Sequence, residues 1–326
     1  MAESLRWATQ IMEAAETYHA PDFRIVGHQA LANSYFWLGD LIKAREHSEH
    51  VISLYTEERH GHLVNILNHD VMTYTLVFAS RVIWMLGFPE QALRVSDECE
   101  RHARRRGHAF DLGFALTTGA DVLNFIGQPG EVLKRVEEAE RLGRENRLPF
   151  LTGYLVPVRR GTTLIRHGQA SEGVAPLKAG IVFFEAAGGR VSCPYAKSVL
   201  AEGMAQLGDL DGALSVIEEV IAQVERPGWE ERFHYPETLR IKGGILEQKA
   251  DMEGAEHNYS ASLDWARRQQ AKSFELRTAT SYARLLRGQG RVGEARDLLA
   301  PVHSWFTEGL GTKDLRAARA LLDELG

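Results

Sequence analysis

The strongest constraint in this chain is a helix-ending residue that returns at near-constant spacing. With Gly39, Gly87, Gly127, Gly168, Gly208, Ala250 and Gly290 as anchors, successive intervals are 48, 40, 41, 40, 42 and 40 residues. Five positions after the anchors stand Ala44, Ala92, Val132, Gly173, Ala213, Ala255 and Ala295. Seven positions before them stand Ala32, Ser80, Ala120, Gly161, Ala201, Gly243 and Ala283. A residue seven before a turn lies two helical turns back, on the side facing the returning helix. Where two antiparallel helices cross closely, a side chain without bulk lets the backbones approach, and a large one overpacks the crossing. The turn glycine closes a helix in the left-handed conformation without a Cβ penalty. Larger apolar residues return four before most anchors and nine after most of them, for example Ile83, Leu123, Leu286, Leu177 and Ile217. Small, large, small at fixed offsets through seven units is the signature of a repeat protein.

The chain has 326 residues, more than one ordinary core accommodates, and the repeat decides for a solenoid over two globular domains. The predicted fold is all-α: a right-handed solenoid of about seven helix-turn-helix units with a period near 40 residues. Residues 1–20 read as the second half of a truncated repeat, which implies a start inside a longer protein. Residues 21–310 hold the seven repeats, and 311–326 form a C-terminal capping helix. The first unit spans about 22–38 and 41–55; the third begins with a helix over 109–126. The fourth begins with one over 149–167, in which Pro157 predicts a kink or late start. Glu57 to Asp70 is the only long connection expected, and it accounts for the 48-residue interval. No Val/Ile/Thr-rich alternation competes, so no strands are expected.

A net charge of −6 argues against a general nucleic-acid role. No run of eighteen apolar residues predicts a membrane span, and the front of the chain has no secretory leader. Cys99 and Cys193 form no metal or redox spacing and suggest a reducing cytoplasm. Gly288-Gln289-Gly290-Arg291-Val292-Gly293 fits the dinucleotide pattern by letters but follows a helix rather than a strand, so the phosphate cradle is missing. His60, His62 and His69, with His47 and His50 before them, lack a cysteine or carboxylate clamp and read as ordinary loop histidines. The basic run Arg101 to Arg106 reads as a solvated helix end. No cofactor, metal or catalytic constellation is expected.

The offsets match the tetratricopeptide pattern, with helices about a turn longer than in the 34-residue unit. More specific are Ala266-Arg267-Arg268-Gln269-Gln270-Ala271, then Glu294-Ala295-Arg296-Asp297-Leu298-Leu299-Ala300-Pro301, and Leu321-Leu322-Asp323-Glu324-Leu325. Together these strings resemble the C-terminal tetratricopeptide region of large bacterial signalling proteins. Such proteins join a class III adenylate cyclase or a DNA-binding domain to a predicted ATPase module, with this helical region last. The resemblance implies a sensor or scaffold role for this region.

In tetratricopeptide stacks the first helix of each unit lines the concave surface. Carried onto this chain, the groove offsets single out Asn33, Trp37, Tyr74, Arg81, Trp84, Asp121 and Asn124. Asn and Arg can hold peptide main chain or a carboxylate, while Trp and Tyr supply anchoring area. The last units contribute a more charged surface through Glu237, Arg240, Arg277 and Arg284, and the fourth offers Leu155, Val158, Thr162 and Ile165. The expected function is a non-enzymatic scaffold or regulatory module of a bacterial signal-transduction protein, binding a protein or peptide segment, or a sibling domain, in this groove. The alternative is a small-ligand-sensing domain that controls an upstream adenylate cyclase or ATPase module. An enclosed apolar pocket near Trp84 and Phe125 would favour the second, an open water-filled groove the first.

Overall fold

The computed structural model describes residues 2–326, and no strand occurs among them. After α1 (Ala2–Thr17), the first hairpin is α2 (Pro21–Leu38) and α3 (Leu41–Leu54). Two short helices come next, α4 (Glu57–His60) and α5 (Val64–Leu67), and then the hairpin of α6 (Val71–Met85) and α7 (Pro89–Arg106). The third pairs α8 (Ala109–Thr117) and α9 (Asp121–Ile126) with α10 (Pro129–Glu145), and the fourth α11 (Val156–Arg166) with α12 (Ala170–Ala186). The remaining hairpins are α13 (Cys193–Gln206) with α14 (Leu210–Glu225), α15 (Tyr235–Gln248) with α16 (Met252–Arg268), and α17 (Lys272–Gly288) with α18 (Val292–Ser304). A final helix, α19 (Lys313–Glu324), packs on α17 and α18. The architecture is an all-α solenoid of tetratricopeptide-like helix pairs. No helix of the described residues is long and apolar enough to cross a membrane.

The small residues sit where backbones meet. Ala201, Ala213, Ala283 and Ala295 are fully buried. In the fourth hairpin the approach is closest: a Cβ on Gly161 would stand 2.6 Å from the Gly173 carbonyl oxygen, and one on Gly173 2.8 Å from that of Gly161. The larger apolar partners Val136, Leu177, Ile217 and Leu299 are likewise fully buried. The anchors all close their turns with positive φ, from +62° at Ala250 to +98° at Gly87. Ala250 alone among them carries a Cβ into that region, against the steric preference of an L-residue.

The stack does not stay open. The segment 226–234 between α14 and α15 crosses to the first hairpin, where the Arg232 N–H donates to the Trp37 carbonyl at 2.7 Å. The Gln269 side-chain amide donates in turn to the Arg232 carbonyl at 2.7 Å. At the second hairpin, the Ser273 hydroxyl donates to the Trp84 carbonyl at 2.5 Å. The Glu308 carboxylate accepts from the Glu90 and Gln91 N–H groups at 2.9 and 3.1 Å. Those donors open α7, and an anion there complements the helix dipole. At the third hairpin, Lys313 lies against Gly127 and its Nζ donates to the Arg166 carbonyl at 2.8 Å. The front three hairpins thus meet the back of the chain in succession.

Four local features differ from the sequence expectation. The first helix of the third unit breaks at a 3₁₀ turn, Thr118–Ala120, because the Ser96 hydroxyl takes the Gly119 carbonyl at 2.8 Å among residues that hold a helix weakly. At the start of the fourth, the Pro157 irregularity is a π turn over Leu151–Leu155. The stretch Glu57 to Asp70 is largely helical, and the segment 226–234 is a second long connection that the repeat spacing did not disclose.

Two substitutions test these constraints by urea denaturation. Ala250→Gly should raise stability by about 1 kcal/mol through relief of the left-handed strain. Gly87→Ala should cost roughly 1–3 kcal/mol more than Gly208→Ala. Both need positive φ, but a Cβ at Gly87 meets the Trp305 ring at 2.5 Å, while Gly208 has nothing within 4 Å.

Candidate ligand-binding interior

Closure narrows the concave surface to the middle of the molecule, where two cavities, each still open to solvent on one side, lie along it. The first, about 210 Å³, is aromatic. Its walls come from the front four first helices and from α12 and α13, with rings of Trp37, Tyr74, Phe78, Phe114 and Tyr154. Successive aromatic residues reach each other because the first helices stack in register: Tyr74 and Phe114 rings stack at 5.5 Å, and Tyr154 and Phe184 at 4.0 Å. Leu155 and Val158 of the fourth unit complete the apolar lining. Arg81 and Arg159, 3% and 5% exposed, bring the only cationic groups to this cavity among the described residues.

Those two guanidinium groups flank one carboxylate. Asp121 is fully buried; it accepts a hydrogen bond from Arg159 and lies 3.3 Å from Arg81 Nε. Arg81 is also held over the rings of Phe36 and Phe233, at 4.9 and 5.2 Å from their centroids. Burial pulls both guanidinium groups down to about 10, so both stay charged at neutral pH.

The second cavity, about 270 Å³, is charged. It lies between α9, α11, α13, α15, α17 and α19. Glu237, fully buried, sits at its heart with Arg240 at 2.8 Å, Arg166 at 3.0 Å and Arg277 at 3.3 Å. Burial alone would raise the Glu237 carboxyl, but the Arg240, Arg277 and Arg166 charges hold it well below the usual range. Arg277 also pairs with Asp314 at 2.7 Å, which ties α19 to this end of the cavity. The Asn124 Oδ1 accepts from His167 Nε2 at 3.0 Å, while its Nδ2 is buried without a partner.

The residues singled out from the sequence therefore divide. Trp37, Tyr74 and Arg81 share the aromatic cavity, with Asn33 behind them, its Oδ1 accepting from the Trp37 indole at 2.8 Å. Asp121 lies beneath Arg81, and Asn124 faces the charged cavity. Trp84 lines neither: it is stacked on Phe125 at 4.1 Å, meets Phe274 edge-on at 5.6 Å and carries the Arg277 guanidinium at 4.7 Å. Arg159 and the rings of Phe110, Phe150 and Phe184 escaped the offsets, whereas Arg166, two before Gly168 as Trp37 is before Gly39, stands on one without having been singled out. Arg159 stands one residue beside the groove position Val158, and the rings lie near the ends of their helices.

Other sequence candidates are absorbed by structure. Arg104 bridges Glu100 and Glu138, and Arg106 binds Glu57 and the Gly61 carbonyl. His60 is buried against Tyr55 rather than exposed in a loop, and His69 reaches Gln29 at 3.2 Å. Gly288 and Gly290 belong to the α17–α18 turn. Cys99 and Cys193 are free and buried. Among the described residues no cluster of three His, Cys, Asp or Glu side chains could hold a metal ion.

No protein-family model matches the chain, and no curated protein matches it. Solved structures do. A Rap protein complexed with competence and sporulation factor superposes with a TM-score of 0.58 at 13% identity, covering 99% of this chain and 96% of that one. The Rap conjugation gene regulator of plasmid pLS20, in complex with the Phr* peptide, gives 0.53 at 11% identity over 92% and 95%. A signal transduction ATPase with a tetratricopeptide repeat sensor from Pyrococcus horikoshii gives 0.45 at 13% identity, over 81% of this chain and 40% of that one. At these identities the first two likenesses bear on the fold: a helical-repeat solenoid aligned along nearly its whole length.

Glu231, in the crossing segment, lies behind the aromatic cavity, where it accepts from the Ser192 N–H at 3.0 Å. Burial pushes its carboxyl up to about 8, against the pull of the Arg81 charge. A raised folded-state pKa contributes stability that is complete below the unfolded-chain value near 4.5 and is lost as pH rises through about 8. Glu231→Gln mimics the protonated form. Relative to that variant, the wild type should lose stability steadily from pH 5 to pH 8 in urea titrations; parallel curves would refute the burial of an uncharged carboxyl.

Proposed function

We propose that the chain is a non-enzymatic interaction module of a bacterial signal-transduction protein, taking part of its partner into the interior of the closed solenoid. The observation that carries this reading is the convergence of Trp37, Tyr74 and Arg81 on one aromatic cavity, at positions where tetratricopeptide-like stacks present their concave face. The partner class is a protein or peptide segment. In support, two solved structures of similar fold hold competence and sporulation factor and the Phr* peptide. A sibling domain of a longer parent protein, an ATPase or adenylate cyclase module, would be the recipient of the signal. Two free buried cysteines agree with a cytoplasmic setting.

The apolar lining of the aromatic cavity favours a second reading, that of a small-ligand sensor governing such an upstream module. The front and back of the chain meet around the cavities, so a bound molecule would bias how tightly the ends close. A cavity of about 210 Å³ accommodates one aromatic side chain or a small ligand.

Native mass spectrometry of the protein purified from cells tests both. The wild type should carry an added mass, a peptide in the first reading and a small molecule in the second. Val158→Trp, which fills the aromatic cavity, and Phe114→Ala, which removes a wall, should each reduce occupancy on the order of tenfold or more. Full occupancy in both variants would remove the interior from consideration.

A further inference from the structure

The aromatic cavity is short of negative charge. Two guanidinium groups, Arg81 and Arg159, reach its wall, and Asp121 is the single carboxylate between them. Glu231 is the other nearby acid, and its buried carboxyl is mostly protonated at neutral pH. One positive charge is left uncompensated in a region walled by rings.

The hydrogen bonds around the two guanidinium groups are incomplete. The Arg81 Nε is buried without a hydrogen-bond partner, 3.3 Å from the Asp121 Oδ2, which also lacks one. Arg159 donates through one terminal nitrogen to Asp121 and has the Tyr195 hydroxyl beside it, while its Nε has no partner. A buried guanidinium with its donors unmet is costly unless something supplies acceptors. Ring faces over Arg81 offset part of that cost but accept no strong hydrogen bond.

We propose that the aromatic cavity is a carboxylate site. Its ligand is an apolar acid whose carboxylate pairs with Arg81 and Arg159, while an aryl or short acyl body lies among Tyr74, Phe78, Phe114 and Tyr154. A guanidinium fork suits the planar carboxylate, and the rings suit a flat or chain-like apolar body. A cation is disfavoured by the surplus charge. A neutral apolar molecule leaves the donors unmet, and a bare inorganic anion leaves the rings empty. The same chemistry occurs in a free aromatic or acyl acid and at a peptide C-terminus ending in an apolar residue. The inference rests on the interior being the binding site.

Calorimetric titration of the full chain with 3-phenylpropionate and with its neutral isostere 3-phenylpropanamide tests the charge requirement without any variant. The acid should bind on the order of 10- to 100-fold more tightly. Arg81→Met, which leaves the Arg159–Asp121 pair intact, should erase that preference, bringing acid and amide to within about threefold of one another. A short peptide ending in Phe, as free acid and as C-terminal amide, separates the sources: a preference for the free-acid peptide over 3-phenylpropionate assigns the site to chain ends, the reverse to small acids. Equal binding of acid and amide, both lost in Val158→Trp, would overturn the carboxylate site while keeping the interior as the binding site. If neither acid binds, or if Val158→Trp changes nothing, the proposal fails as well.

Discussion

Closure of the solenoid on itself is the constraint on which the rest depends. A stack of helix pairs holds together through neighbours alone and would leave its concave side to water. Here the Trp37 and Trp84 carbonyls and the start of α7 each receive a partner from the last third of the chain. The turn glycines at Gly39, Gly87 and Gly127 therefore lie under a neighbour as well as ending a helix: Gln269, Trp305 and Lys313 rest against them. Aromatic residues that an open groove would show to solvent become core. Phe36, Phe78 and Phe233 form one cluster across the seam.

Burying the concave side carries charge inward with the rings. Glu237 is surrounded by three arginines and Asp121 by two. Such groups add little net stability over apolar replacements of the same shape, but removing one partner strands another in a poor solvent. Their effect is to fix how the first helices of successive units sit against one another, since each carboxylate has ligands on different helices.

The helix pairs were legible in the sequence because their determinants are local. Gly161 and Gly173 are twelve residues apart and meet within one hairpin, so spacing alone discloses the contact. Part of the inward face of α2 and α6 was legible for the same reason: Trp37, Tyr74 and Arg81 line one cavity together, although Trp84 does not. What faces them was not. Closure sums small rotations over seven units and is made by residues such as Arg232, Ser273 and Glu308, which stand roughly 190 to 220 positions from their partners and outside the periodic offsets. Nor could spacing distinguish Arg159 from its neighbour Arg160; only packing directs the first to Asp121 and the second to Glu140.

The π turn at Leu151–Leu155 shows how a wall of the cavity is re-aimed. One additional amino acid in a helix rotates the residues before it by about 100° relative to those after it. Gly127 and Gly168 lie 41 residues apart, against 40 in both flanking intervals. The irregular turn absorbs that insertion inside the helix, so the crossing at Gly161 keeps its register while Phe150 and Tyr154 swing onto the aromatic lining. Single-residue indels ahead of Pro157 are thus a route by which chains of this shape could change the cavity they enclose without altering how their hairpins stack.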